Sequence, residues 1–572
     1  MEEGMMGSLA CQEPAYSEEY TEYIYRYYSG VTMPEEDCYA LVNNNKQIIV
    51  YRQEPEYNVS RYGLAAIPRY YGLLDDAVVD ETGVAQIRRL PSMDLLGQGT
   101  LIGFVDTGID YTHEVFRNAD GTTRIWSIWD QSIPYTEESI LGRLPTDFFY
   151  GTEYTRTDIN LALETDDPFS LVPTRDLEGH GTYMAGIAAG NEVPEEGFSG
   201  MAPLADIIMV KCKEAKQNLK SFYKIDSDAP CYQESDIMQA IKYLIRKASV
   251  LSRPLVICLG MGTNLGDHNG GGHLGEQLGA ASNEGGIVIT AAGGNEAGLA
   301  HHHRSNMIMP NREEDVEIRV GEREKGFTTS LWCNAPQLFS VGIISPSGEF
   351  SGKILARIGE SREINFLLER TTVYVDFQLV DIASGDEMIL LRFENPVEGI
   401  WRIRLYNDGT ISGVVQMWLP IRNFIVSDTF FLVADPEITI CEPGNNPYVI
   451  TNATYDYRNN SLYTNSSRGY ARNGLVKPDI TAPGVDVLVP LPGNRYGERT
   501  GSSVGSAVTA GISALMLQWG ILEENDPTMN GTVVLKYLIR GAVRMNIVYP
   551  NPSWGYGIIN IYDVFLNLRP SI

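Results

Sequence analysis

Hydrophobic positions along the chain follow three patterns, and each predicts a different kind of element. Short unbroken apolar runs at 101–105 (LIGFV), within FSGMAPLADIIMVKC, at 255–259 (LVICL) and at 287–292 (IVITAA) are bounded by glycine or polar residues, as strands buried on both faces are. Between them, residues 236–248 place Ile237, Ile241, Leu244 and Ile245 at helical spacing, residues 500–511 continue as a small-residue helix through Val508, Ile512 and Leu515, and residues 532–544 form a closing helix. Strand and helix alternate, which predicts an α/β fold: a parallel sheet with helices on both faces. From 306 to 441 the helical period vanishes. Short aromatic-rich strands separated by Gly, Pro, Asn and Asp turns predict an inserted antiparallel sandwich, a jelly roll. At the N-terminus, CYALVNNNKQIIVYRQ holds two strand-like runs broken at 43–45, the mark of a small α/β unit, and GLLDDAVVDETG reads as an exposed linker after it. The expected units are therefore 1–76, 77–305, 306–441 and 442–572, the second and fourth forming one α/β domain.

Composition narrows the class of partner. The chain has 572 residues, 43% of them apolar, enough for more than one core. With 73 acidic against 44 basic residues its net charge is −29, so nucleic acid and anionic membrane surfaces are repelled. The acidic start MEEGMMGSLACQEPAYSEEY lacks the basic and apolar regions of a secretory signal, and no apolar run of about 18 residues predicts a membrane span, so cytoplasmic synthesis is expected. Seven scattered cysteines without a C-x-x-C pair indicate neither a disulfide framework nor a zinc site; Cys212 and Cys258 read as core residues. His301, His302 and His303 read as a polar loop rather than a metal site.

Four junctions between elements carry polar groups suited to chemistry. In TGSSVGSAVTAG, Gly501 permits a tight turn, and Ser502 or Ser503 falls in the first helical turn, where backbone N–H groups without intrahelical partners stabilise negative charge. Asp106 follows the strand at 101–105, on the sheet edge where α/β proteins handle ligands. His180 stands between glycines at the start of a helix whose Ala185, Ala188 and Ala189 allow close packing, whereas His113 supports a loop. Asn295 stands at the tip of the AAGGNEAG segment that ends the strand at 287–292, where its carboxamide can donate to an oxyanion. Each feature alone also serves as an ordinary cap or loop support.

Taken together, VDTGID, GHGTYMAGIAAG, SGMAPLADI, AAGGN, KPDITAPGV and TGSSVGSAVTAG resemble, in this order, the subtilisin-like serine proteases, whose triad runs Asp, His, Ser along the chain. The resemblance implies Ser503 as nucleophile, Ser502 as a scaffold hydroxyl where threonine is usual, His180 as base and Asp106 as its orienting partner. It implies an oxyanion hole from Asn295 and the Ser503 N–H, and a substrate cleft lined by Leu259, Gly260, Ala292, Gly293 and Gly294. No metal or other cofactor enters the catalysis of this family. Structural calcium occurs in many members on loop oxygens, which spacing does not assign. Gly505 and Ala507 replace the usual alanine and proline, and AAGGN carries an extra glycine, but no reacting group is lost.

Within the family, a prodomain-sized N-terminal unit, no signal peptide and a jelly-roll insert between Asn295 and Ser503 resemble the clostridial Csp proteases. That likeness implies packaging into the spore, protein substrates, activation of a spore cortex-lytic proenzyme during germination, and self-cleavage near residues 74–77 with the prodomain as a partner of the mature enzyme. The same group includes pseudoproteases that sense germinants or act as scaffolds. Those lack one or more triad groups, and this chain keeps all three.

Overall fold

The computed structural model describes residues 12–26, 38–42, 47–73, 82–88, 93, 95–426 and 428–568. The apolar runs build a nine-stranded sheet in the order Ser461–Leu462, Ile450–Asp456, Ile287–Ala292, Leu255–Leu259, Leu101–Asp106, Asp206–Lys211, Ile125–Asp130, Thr152–Thr155, with Ile480–Pro483 also paired to Ile450–Asp456. Pairing is parallel except for Ser461–Leu462 and Thr152–Thr155 at the two ends of this order. The registers Leu259↔Val105 and Leu259↔Ala291 bring the carboxyl ends of three adjacent strands level, so Asp106, Gly260 and Ala292 emerge along one edge.

Every residue of Leu101–Asp106, Leu255–Leu259 and Ile287–Ala292 is buried, because helices cover both faces. Ile102, Phe104, Val256 and Val288 pack beneath helices His180–Ala189, Ser502–Leu517 and Gly531–Gly541, while Leu101, Val105, Ile257 and Ile289 pack beneath Glu234–Leu251 and Gly272–Ser282. Ser502–Leu517 lies wholly inside the protein. A Cβ at Gly511 would overlap Met201 and stand 2.7 Å from the Ala188 carbonyl, so its small residues set how closely it meets His180–Ala189. With its continuation to Leu522 this helix is long and apolar enough to cross a membrane, but 89% of the apolar window is buried among protein atoms, which accounts for the composition. The closing helix is shorter than expected, Gly531–Gly541, and a further helix, Ile561–Asn567, packs on it.

The inserted region is a two-sheet antiparallel sandwich. One sheet runs His302–Arg304, Val415–Trp418, Gly326–Cys333, Glu387–Glu394, Thr371–Gln378, Ser361–Phe366; the other runs Phe339–Ile344, Gly399–Asn407, Glu313–Val320, Phe430–Phe431. Their inner faces share a core around Phe327, Phe393 and Trp401. The sandwich begins before residue 306, and the three histidines are not a polar loop: His302 and His303 lie in its first strand and all three are buried. Tertiary partners make this possible. His301 Nδ1 lies 2.6 Å from Glu296 Oε2, His302 Nδ1 is 3.0 Å from the Asp435 carbonyl, and the His302 and His268 rings stack on Trp418.

Near the N-terminus, Gln47–Arg52 lies between Thr21–Arg26 and Tyr39–Val42 in an antiparallel sheet, packing Ile24, Val42 and Ile49 toward helices Glu234–Leu251 and Gly272–Ser282. The expected boundary at 76/77, the linker residues 74–81 and the processing region 74–77 lie outside the described residues. Cys38 is disulfide-bonded, a link the scattered cysteines do not suggest, whereas Cys212, Cys231, Cys258, Cys333 and Cys441 are reduced and buried. Burial pushes the Cys258 thiol up to about 12, leaving it inert as a nucleophile.

Candidate active site

Asp106 closes its strand inside the protein, and its Oδ1 accepts the Thr107 N–H at 2.8 Å. The same oxygen is 2.7 Å from His180 Nδ1. Two features put the imidazole there. Gly179, at φ +83°, takes the left-handed turn before the helix, and a Cβ on Gly181 would overlap the Gly108 carbonyl, so the helix start presses on the turn after Asp106. Asp176, not singled out by sequence reasoning, ties the assembly down. Its Oδ1 accepts from Gly179 N–H and Thr107 Oγ1, both at 2.8 Å, and its Oδ2 accepts the Thr182 N–H at 2.8 Å. Its spacing from His180 in DLEGHG is compatible with a helix-capping carboxylate, the one signal that could have found it.

Gly260 faces the imidazole from the neighbouring strand: a Cβ there would stand 2.7 Å from His180 Cε1 and 3.3 Å from Asp106 Oδ2. A side chain at this position would therefore press on the imidazole that Asp106 holds. The Tyr183 ring meets the imidazole edge-on at 4.9 Å, and its hydroxyl is 3.5 Å from Ser503 Oγ. Ser503, buried, is the second residue of helix Ser502–Leu517, preceded by Gly501 at φ +150°.

Ser502 links this helix to the next strand end. Its N–H donates to Asn295 Oδ1 at 3.1 Å, and its Oγ accepts the Gly294 N–H at 3.0 Å. With Oδ1 so held, the orientation of the Asn295 carboxamide is set by the same helix that carries Ser503. The extra glycine of AAGGN has a steric reason. A Cβ at Gly293 would be 2.5 Å from the Asn452 carbonyl, and one at Gly294, φ +105°, 2.5 Å from Cys441 Sγ. Asn452 also escapes sequence reasoning: its Nδ2 donates to the Ser502 carbonyl at 3.1 Å, and a Cβ at Gly505 would overlap that same nitrogen. The departure from alanine at 505 thus makes room for Asn452.

Of the residues expected along the cleft, Gly260, Gly293 and Gly294 lie beside His180 and Asn295, whereas the Leu259 and Ala292 side chains are buried in apolar clusters behind the edge. The groove itself is bounded by Tyr232–Gln233 and Met261–Gly262, and Tyr70–Leu73 lies between them as an antiparallel third strand. Leu73 pairs with Met261, one residue beyond Gly260. Among the described residues no group of three or more His, Cys, Asp or Glu is placed to hold a metal ion.

Residues 97–557 match the model of the subtilase family. Subtilisin-like protease SBT3.4 of Arabidopsis thaliana is 26% identical over 506 residues, covering 78% of this chain and 60% of its own length. The C5a peptidase of Streptococcus pyogenes serotype M6 is 23% identical, covering 76% of this chain and 35% of its own. The chain thus spans less than two thirds of these curated relatives. Among solved structures, the CspB protease of Clostridium perfringens superposes with a TM-score of 0.73 at 30% identity, covering 86% of this chain and 98% of that one. The family match over most of the chain, falling on the strand ends and helix starts that gather Asp106, His180, Asn295 and Ser503, places this protein in the subtilase family.

Proposed function

We propose that the chain is a serine endopeptidase acting through Asp106, His180 and Ser503. The observation that carries this reading is the buried 2.7 Å contact of His180 with Asp106 at the head of a groove that already accommodates a peptide strand. His180 takes the Ser503 Oγ proton as Oγ attacks the peptide carbonyl carbon. The oxyanion that forms is held by the Asn295 amide and the Ser503 N–H. When the tetrahedral species collapses, the C–N bond breaks, His180 returns the proton to the departing amine, and the acyl group stays on Ser503. Water, deprotonated by His180, then releases the acid. Asp106 keeps the proton on Nδ1 and steadies the imidazolium. No cofactor is required, and the substrates are proteins.

The finer reading assigns residues 1–76 as a prodomain cut from the chain by its own active site, with Tyr70–Leu73 seated as a product-like strand, and the 306–441 insert as a jelly roll. The likeness to a CspB protease supports a role in the spore, where the target is a cortex-lytic proenzyme activated in germination. A second reading, a catalytically silent sensor or scaffold, draws on two observations: the groove is filled by the chain's own strand, and Ser503 is buried. Wild type and Ser503→Ala decide between the two. Intact mass should show cleavage near residues 74–77, and a fluorophosphonate should label the wild type alone. A folded wild type that stays whole and unlabelled would select the silent reading.

A further inference from the structure

The insert reaches into the groove. Ile421, Asn423 and Phe424, just after strand Val415–Trp418, stand over the Tyr70–Leu73 strand. A Cβ on Gly72 would be 2.6 Å from Ile421 Cδ1 and 3.0 Å from Phe424 Cζ. Gly72 is not among the positive-φ glycines, so nothing in its backbone conformation requires glycine; only the space above it does. Those two side chains are buried in a cluster with Tyr70, Leu265, Trp332 and Trp418, so giving way to a larger residue would disturb that packing. Their turn is anchored as well: Phe424 N–H donates to the Ile421 carbonyl at 3.0 Å, and Ser227 Oγ donates to the Asn423 carbonyl at 2.5 Å. Asn423 Nδ2 reaches the Leu73 carbonyl at 3.4 Å, and the Tyr70 ring is held edge-on by Phe424 and Tyr223, each at 5.0 Å.

We propose that the inserted sandwich is part of the recognition surface: its Ile421–Phe424 turn selects glycine over larger residues at the position of Gly72 and favours an aromatic residue two places before it. The substrate class is then a polypeptide segment of the pattern aromatic, aromatic, glycine, apolar, the second ring taking the buried place of Tyr71 beside Tyr232 and Met261, entering as a strand between Tyr232–Gln233 and Met261–Gly262. This inference rests on the protease reading, and specificity at that position comes from a domain outside the α/β core.

The full chain supplies its own substrate for the test. Gly72→Ala should slow self-cleavage by about 10-fold or more, because overpacking displaces the strand from the reacting geometry. Ile421→Val deletes the Cδ1 atom that meets the new methyl, and in the Gly72→Ala chain it should recover at least half of the lost rate. The same pair in the uncleavable Ser503→Ala chain needs no activity: Gly72→Ala should lower the melting temperature by about 2 °C or more, with Ile421→Val reducing that loss. Gly72→Ala processed at the wild-type rate, or a penalty that Ile421→Val leaves untouched in both assays, overturns the proposal. Wild type that never self-cleaves overturns the protease reading instead, and the melting pair still decides whether the wall exists.

Discussion

Replacing Gly505 with alanine should harm a helix that alanine normally favours. In an ordinary helix interior, Gly→Ala stabilises by about 0.5–1 kcal/mol. Here the added methyl overlaps Asn452 Nδ2 and lies 3.0 Å from its Cγ and 3.3 Å from Ala482 Cβ. Asn452 cannot back away, since its strand is paired on both sides, opposite Ala292 and Ile480. Overpacking of this kind costs about 1–3 kcal/mol, and displacing the Asn452 amide also breaks its bond to the Ser502 carbonyl, a further loss of about 0.5–1.5 kcal/mol. Gly505→Ala should therefore destabilise by about 2 kcal/mol once the helix gain is set against these costs. Thermal melts of the four members of a Gly505→Ala, Asn452→Ala cycle, all in the Ser503→Ala chain, measure it. With Asn452 truncated, Gly505→Ala should turn neutral or stabilising, giving a coupling of at least about 1 kcal/mol. Fluorophosphonate labelling in the Ser503 chain should slow in parallel, since residue 505 lies two positions from Ser503. Stabilisation by Gly505→Ala with Asn452 present would refute the reasoning.

Two further outcomes are expected. Asp106→Asn keeps the shape of the site but favours the wrong imidazole tautomer, and the self-cleavage rate, followed by gel densitometry, should fall by about 10⁴-fold. Burial, with Asp267 nearby and against the pull of Arg69, pushes the Glu442 carboxyl up to about 8. A carboxyl raised above its unfolded value stabilises the fold fully below about pH 4.5 and loses that contribution as pH rises through about 8. Glu442→Gln abolishes this titration, so its melting temperature should fall less than that of wild type between pH 5 and pH 8; parallel curves would show that Glu442 does not titrate in this way.

Local junctions made much of the site readable. Asp106, His180, Asn295 and Ser503 each stand where a buried run meets a glycine turn, so their neighbours in sequence already define their setting. Pairings between distant segments left no such mark. The Tyr70–Leu73 strand has no period of its own and becomes a strand only because Tyr232–Gln233 and Met261–Gly262 offer two free edges. Gly505 looks like a weak helix residue until Asn452, from another strand, is seen filling the space. His301–His303 look polar because Glu296, Asp435 and Gln416, which satisfy two of the imidazoles inside the fold, lie elsewhere in the sequence or in space. The Ile561–Asn567 helix, seven residues long and capped by Asn560, is too short to show two turns of periodicity.

The strand at Tyr70–Leu73 also changes what the rest of the molecule must tolerate. While it is in place, the backbone groups of Tyr232–Gln233 and Met261–Gly262 have a partner along the groove. Once it leaves, both become raw sheet edges lying side by side, ready to pair with any extended chain, including a second copy. A chain without that strand would therefore present two short unpaired edges at one place, which a single extended segment satisfies at once.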